Sequence, residues 1–152
     1  MVDKKIRSSV QVTGGNIDIV RDRKLEPSMF GSVEEEFSHP HNKPDIVCID
    51  RDKREVIITE VSVPFDAHLD YCYKSKFDKY FPLSREINEM GYRTEIIVLI
   101  IGALGNVHKR FVSGLKKNGI SQTEAKYLAK YCSISAIIGS YKVWKMRCKN
   151  ID

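Results

Sequence analysis

Lys43-Pro44-Asp45-Ile46-Val47-Cys48-Ile49 and Val56-Ile57-Ile58-Thr59-Glu60-Val61-Ser62 are two β-branched runs separated by the polar segment Asp50-Arg51-Asp52-Lys53-Arg54-Glu55. That composition predicts two strands joined by a hairpin. Side chains alternate between faces along a strand. Val56, Ile58, Glu60 and Ser62 therefore share one face of the second strand, and Asp45, Val47 and Ile49 share one face of the first. Antiparallel closure sets Ile49 opposite Val56, Val47 opposite Ile58 and Asp45 opposite Glu60. Two carboxylates then meet at the open end of an apolar hairpin. Adjacent carboxylates repel, and a buried carboxylate is costly unless it is paired or bound to a metal. A hard divalent cation such as Mg²⁺ relieves both penalties.

Working outward, Asp66 is a candidate cap for a following helix. Leu69, Tyr73, Phe77 and Tyr80 recur at helical spacing and define its buried face. Pro82 interrupts, and a second helical piece runs to Met90 and stops at Gly91. Thr94 to Ile101 is continuously β-branched, the mark of a central strand covered on both faces. Val107 to Lys117 reads as a helix ended by Asn118-Gly119. Ser121-Gln122-Thr123-Glu124 is a capping-box pattern, which opens a helix to about Ile138 that extends past Gly139 toward Trp144. Upstream, Ser9-Val10-Gln11-Val12 and Ile17-Asp18-Ile19-Val20 flank Thr13-Gly14-Gly15-Asn16, a hairpin signal over residues 9–20. Ser28 to Phe37 reads as a short helix with Ser32 as its cap. This order predicts an α/β fold, a mixed central β-sheet flanked by helices. The expected organisation is a single domain over residues 1–152, with its core at about 28–145.

Composition sets limits. The 42% hydrophobic and 30% charged content is that of a soluble globular protein. The apolar run Ile96 to Leu104 is far short of the roughly 20 residues that span a bilayer, so no membrane partner is expected. Met1 to Arg7 is charged with no apolar segment behind it, so no secretory signal is expected. Cys48, Cys72, Cys132 and Cys148 are widely spaced and form no zinc pattern, which fits a reducing, intracellular setting. The net charge is +5. Its excess gathers late: Lys109, Arg110, Lys116, Lys117, Lys126, Lys130, Lys142, Lys145, Arg147 and Lys149 stand against Glu124 and Asp152. Such asymmetry suits a surface that tracks phosphates. Lys109 and Lys116 on one helix, and Lys126 and Lys130 on the next, are the candidate DNA contacts. Phe111, Val112 and Leu115 are expected to pack the first helix, and Tyr127, Leu128, Tyr131 and Ile134 the second.

Pro44-Asp45, the apolar hairpin, Glu60, the break Val61-Ser62-Val63-Pro64-Phe65-Asp66 and the Lys-rich aromatic helix Tyr73-Lys74-Ser75-Lys76-Phe77-Asp78-Lys79-Tyr80 follow in that order. Together they resemble the PD-(D/E)xK nucleases, and among these the restriction-like endonuclease domain of site-specific non-LTR retrotransposons. The usual motif has a lysine two residues after the glutamate. Ser62 stands there instead, a departure shared with that retrotransposon branch, in which the lysine sits on the next helix.

The resemblance implies a restriction-endonuclease-like core and a DNA endonuclease in which Asp45 and Glu60 hold Mg²⁺ or Mn²⁺. At about 100° per helical residue, Lys76 falls at the rim of the buried arc, which makes it the first choice for the catalytic lysine. Lys79, one turn on, is the second. Such sites often take a third carboxylate from the first helix, for which Glu34, Glu35 and Glu36 are candidates. His39 and His41 are read as loop histidines, and the hydroxyls of Tyr73 and Tyr80 as reaching the polar edge of the core. The resemblance further implies cleavage that leaves a 3′ hydroxyl to prime reverse transcription, RNA as a further partner, and a nuclear setting. Two alternatives stand beside it: a catalytically inactive nucleic-acid-binding module of the same fold, which Ser62 favours, and a Holliday-junction-resolvase-like nuclease, which would act as a homodimer.

Overall fold

The computed structural model describes residues 16–148, so the first strand of the expected N-terminal hairpin lies outside the described residues. Four strands form one sheet in the order β1 (Ile17–Arg21), β2 (Ile46–Asp50), β3 (Glu55–Ser62), β4 (Arg93–Ile100). β1 pairs antiparallel with β2, and β2 with β3. β4 runs parallel to β3, because Arg93 N bonds Arg54 O at one end and Ile101 N bonds Ser62 O at the other. The sheet is therefore mixed. Parallel neighbours need a long crossover, which is supplied by α1 (Leu69–Glu89). After β4 come α2 (Phe111–Lys117) and α3 (Gln122–Cys148). No described helix is long and apolar enough to cross a membrane.

The chain divides into two compact units, Met1–Glu60 with Asp78–Ile96, and Val61–Phe77 with Ile97–Asp152. The first is built on the hairpin. Ile49 pairs with Val56 and Val47 with Ile58, as period-two alternation requires. These four residues are buried together with Leu25, Phe30, Phe37, Tyr80, Leu83 and Ile87. Arg51 ties the hairpin loop down, donating from Nε and Nη2 to Asp18 and from Nη1 to Met29 O.

In this unit α1 does not break at Pro82. A proline inside a helix costs about 3 kcal/mol. Burial of Tyr80, Leu83 and Ile87 returns about 1.5–3 kcal/mol each, which outweighs that cost. α1 ends as expected at Gly91, whose φ of 85° is left-handed. The helix expected over Ser28 to Phe37 is instead a 3₁₀ turn over Pro27–Phe30. Ser32 Oγ accepts from Glu34 N in a local turn and caps nothing longer.

The second unit buries Ile97 to Ile101, Phe111, Leu115, Ala125 and Ala129. Gly114 of α2 lies against Ile97 and Leu99, where a Cβ would meet both side chains. The capping box is present: Ser121 N and Oγ donate to Glu124 Oε2, and Glu124 N donates to Ser121 Oγ.

Four expectations change here. β4 is an edge strand among the described residues; the β-branched run reported burial, not rank in the sheet. The helix expected from Val107 begins at Phe111, because Val107 bridges Ile101 and His108 N bonds Ile100 O. Asp66 caps no helix; its carboxylate accepts from Leu104 N at 2.7 Å and Asn106 N at 3.1 Å and so closes the loop after β4. Finally, Tyr127, Tyr131 and Ile134 are exposed, and the residues of α3 that are buried are Ala125 and Ala129. Small side chains allow close helix approach, and α3 is apolar on more than one face, so spacing alone does not select the buried side.

Candidate functional site

The site in the first unit grows from the open end of the hairpin. Ile46 pairs with Thr59, which brings Asp45 and Glu60 together one step further on. Asp45 N lies 3.4 Å from Glu60 Oε2. Asp45 O accepts from Asp22 N, and Asn42 O from Leu25 N, so the strand entry is held on its outer side. Pro44 is buried, and it predisposes Lys43 before it to the extended conformation. Glu60 is only 3% exposed.

α1 brings two more groups. Lys79 Nζ is 4.0 Å from Glu60 Oε1 and donates to Tyr80 Oη at 3.0 Å. Tyr80 Oη donates in turn to Lys43 O at 3.1 Å. The Tyr80 phenol is held well above its ordinary range, first by burial and then by the charges of Glu60 and Asp45. It is a fixed neutral donor at neutral pH. An all-oxygen pair of carboxylates suits a hard divalent cation. The pair accordingly fits Mg²⁺ or Mn²⁺.

The other expected site residues are placed as follows. Lys76 is half-buried on the part of α1 that belongs to the second unit. Glu34, Glu35 and Glu36 are exposed, and Glu36 pairs with Lys24 at 2.7 Å. Among the described residues no three His, Cys, Asp or Glu side chains converge on a metal-sized position. The His39 and His41 rings lie 5.2 Å apart in the loop, where His39 N donates to Glu86. Lys116, Lys126 and Lys130 are exposed.

The second unit holds a cluster that the sequence reading did not assemble. His108, 4% exposed, accepts from Arg110 N through Nδ1. Its Nε2 therefore carries the proton and donates to Asp70 Oδ1 at 3.0 Å. Its ring stacks on Tyr73 with centroids 4.8 Å apart and planes 12° apart. Arg110 lies 4.9 Å from the Tyr73 ring centre and donates to Tyr73 Oη. Lys109 Nζ is 3.1 Å from Asp70 Oδ1. The Asp70 carboxyl is held below its ordinary range by hydrogen bonds from His108 and Lys109. Lys74 and Phe77 complete a cavity of about 290 Å³. One signal was available beforehand: Asp70, Tyr73, Lys74 and Phe77 share a helical face at i, i+3, i+4 and i+7.

No family model and no curated protein matches this chain. A solved structure, an N-terminal domain of a reptarenavirus L protein, is similar to it with a TM-score of 0.44 and 22% sequence identity. The similarity covers 76% of this chain and 65% of that one, so this chain spans less than two thirds of that domain.

Proposed function

We propose that this chain is a metal-dependent DNA endonuclease domain of the PD-(D/E)xK type, similar to that of site-specific non-LTR retrotransposons. The observation that carries the reading is the meeting of Asp45 and Glu60 at the hairpin end, with the Lys79 ammonium 4.0 Å from Glu60. Asp45 and Glu60 would hold Mg²⁺ or Mn²⁺. Such an ion, when bound, lowers the pKa of water and neutralises charge on a phosphate. Lys79 takes the part of the missing lysine at Ser62. Its ammonium hydrogens can orient the attacking oxygen and stabilise charge on the phosphate oxygens. Tyr80 holds Lys79 toward Glu60 by accepting one of its hydrogens. In the retrotransposon setting the product would be a nick with a 3′ hydroxyl, the setting nuclear, and RNA a further partner.

The test is plasmid nicking with Mn²⁺ or Mg²⁺. The wild-type chain should convert supercoiled plasmid to the open circle, and Asp45→Ala should not. Failure of the wild type at every protein concentration, or equal nicking by Asp45→Ala, overturns the reading. A second reading, an inactive nucleic-acid-binding module, is favoured by Ser62 in the usual lysine position. It predicts equal DNA binding in EDTA and in Mg²⁺, with no thermal stabilisation by the metal.

A further inference from the structure

We infer that the cavity between α1 and residues 108–110 is a seat for a phosphate group of a nucleic-acid strand. Three of its lining side chains, Lys74, Lys109 and Arg110, are permanent cations. They stand against one carboxylate, Asp70, and leave a local excess of two positive charges. A pocket of this sign concentrates phosphate in a partly desolvated space. Arg110 is directed before any ligand arrives. The bond between Arg110 and Tyr73 Oη, and the guanidinium's place over that ring, set the direction of Arg110. The His108 ring anchors the Arg110 amide on one side and Asp70 on the other. A planar guanidinium held in this way can offer two parallel donors to a phosphate, which a mobile surface lysine cannot.

The buried His108 is the part that a solvated basic face would not need. It is almost inaccessible, yet it spends both ring nitrogens on positioning Asp70 and Arg110. Asp70 also pairs with Lys109 at 3.1 Å at the exposed pocket rim, where its carboxylate competes with a phosphate for that ammonium. The inference deepens the nuclease reading by naming where the second unit grips the strand. Its test needs no metal and no cleavage.

Binding of a fluorescein-labelled single-stranded oligonucleotide should be measured by anisotropy in EDTA, as a function of salt. Arg110→Ala and Lys109→Ala should each weaken binding about tenfold and lower the slope of log affinity against log salt by about 0.7, the value for one phosphate contact on a single strand. Asp70→Asn keeps an acceptor for His108 but removes the competing charge, so it should tighten binding several-fold. A merely structural cluster would give a loss there instead. Pyrophosphate should compete with the oligonucleotide, and dATP should bind far more weakly than the strand. Unchanged salt slopes in both cation variants, weaker binding by Asp70→Asn, or dATP binding as tight as the strand would each overturn the inference. So would a wild-type chain that binds no oligonucleotide. None of these results touches the nicking test, which turns on Asp45 and Glu60.

Discussion

The Asp45 backbone amide points at Glu60 Oε2 across 3.4 Å, so the glutamate is aimed by the same strand that carries its partner carboxylate. Register thus does chemical work at the end of the hairpin. A slip of one residue would send Glu60 to the opposite face and leave Asp45 beside an uncharged side chain. The apolar pairs Val47 with Ile58 and Ile49 with Val56 prevent that slip, because it would turn the buried Val56 and Ile58 out to the opposite face.

Replacing Glu60 by Gln should separate metal binding from folding. The amide keeps the shape and an acceptor for Asp45 N but removes a buried charge. Stability without divalent ion should be little changed, since the amide fills the same space and still accepts from Asp45 N. Wild-type protein at a hundredfold excess of Mn²⁺ over its dissociation constant should gain about 2.7 kcal/mol. That gain should vanish in Glu60→Gln along with nicking. Thermal denaturation with and without Mn²⁺ reads both effects, and an equal Mn²⁺ shift in the variant contradicts the assignment.

For the lysines, Lys79→Ala should lower the nicking rate by about 10²–10³-fold, the size of effect seen when one positioned electrostatic donor is removed. Mn²⁺ affinity should hold or improve, because a positive charge leaves the vicinity of Glu60. Lys76→Ala should cost much less. Single-turnover rates at saturating Mn²⁺ compare the two, and a larger loss for Lys76→Ala would return the role to the lysine first expected.

Much of this site was legible because it depends on period-two alternation over a short span. The facing of Asp45 and Glu60 follows from composition and a closed hairpin. The choice between Lys76 and Lys79 was less so: the helical wheel places Cα atoms, and a lysine head travels several ångströms from its own Cα. Lys79 Nζ lies 4.0 Å from Glu60, drawn there also by Tyr80 Oη. The pocket around His108 was not legible, because it joins Asp70–Phe77 to residues 108–110 through tertiary packing. Residues 107–110 fit a helical pattern, although Val107 completes a bridge to Ile101. On α3 the large apolar residues suggested a core face, while the contact is made through Ala125 and Ala129.

Tyr80 predicts a pH signature. Its phenol in the folded chain titrates above its ordinary value near 10, chiefly because it is buried. A group raised in this way gives its full stability below the unfolded value and loses it as pH climbs toward the folded one. Above about pH 10 the unfolded phenol ionises first, and the folded state loses up to about 1.4 kcal/mol per pH unit. Tyr80→Phe escapes that loss but forfeits the bonds to Lys79 and Lys43 O, worth about 1 kcal/mol. The variant should be less stable near neutral pH, and the gap should narrow or close between about pH 9.5 and 11. Urea unfolding of both proteins across that range decides it, because titration of all other groups is common to the pair. A gap independent of pH would contradict the account.

The loop after β4 offers a test that concerns architecture rather than catalysis. A Cβ at Gly102 would overlap the Asp66 carboxylate, which is engaged with Leu104 N and Asn106 N. Gly102→Ala must therefore push Asp66 away or distort the loop, at a cost of about 1–3 kcal/mol. Asp66→Ala alone leaves two loop amides without their charged acceptor, a loss of about 1.5–3 kcal/mol for each bond that water does not replace. In the double variant the new methyl group occupies space that the carboxylate has vacated. The combined loss should then fall short of the sum of the single losses by at least about 1 kcal/mol, the range of coupling found for residues in contact. Denaturant unfolding of the four proteins measures that coupling. Additive losses would mean that Gly102 is required for some reason other than Asp66.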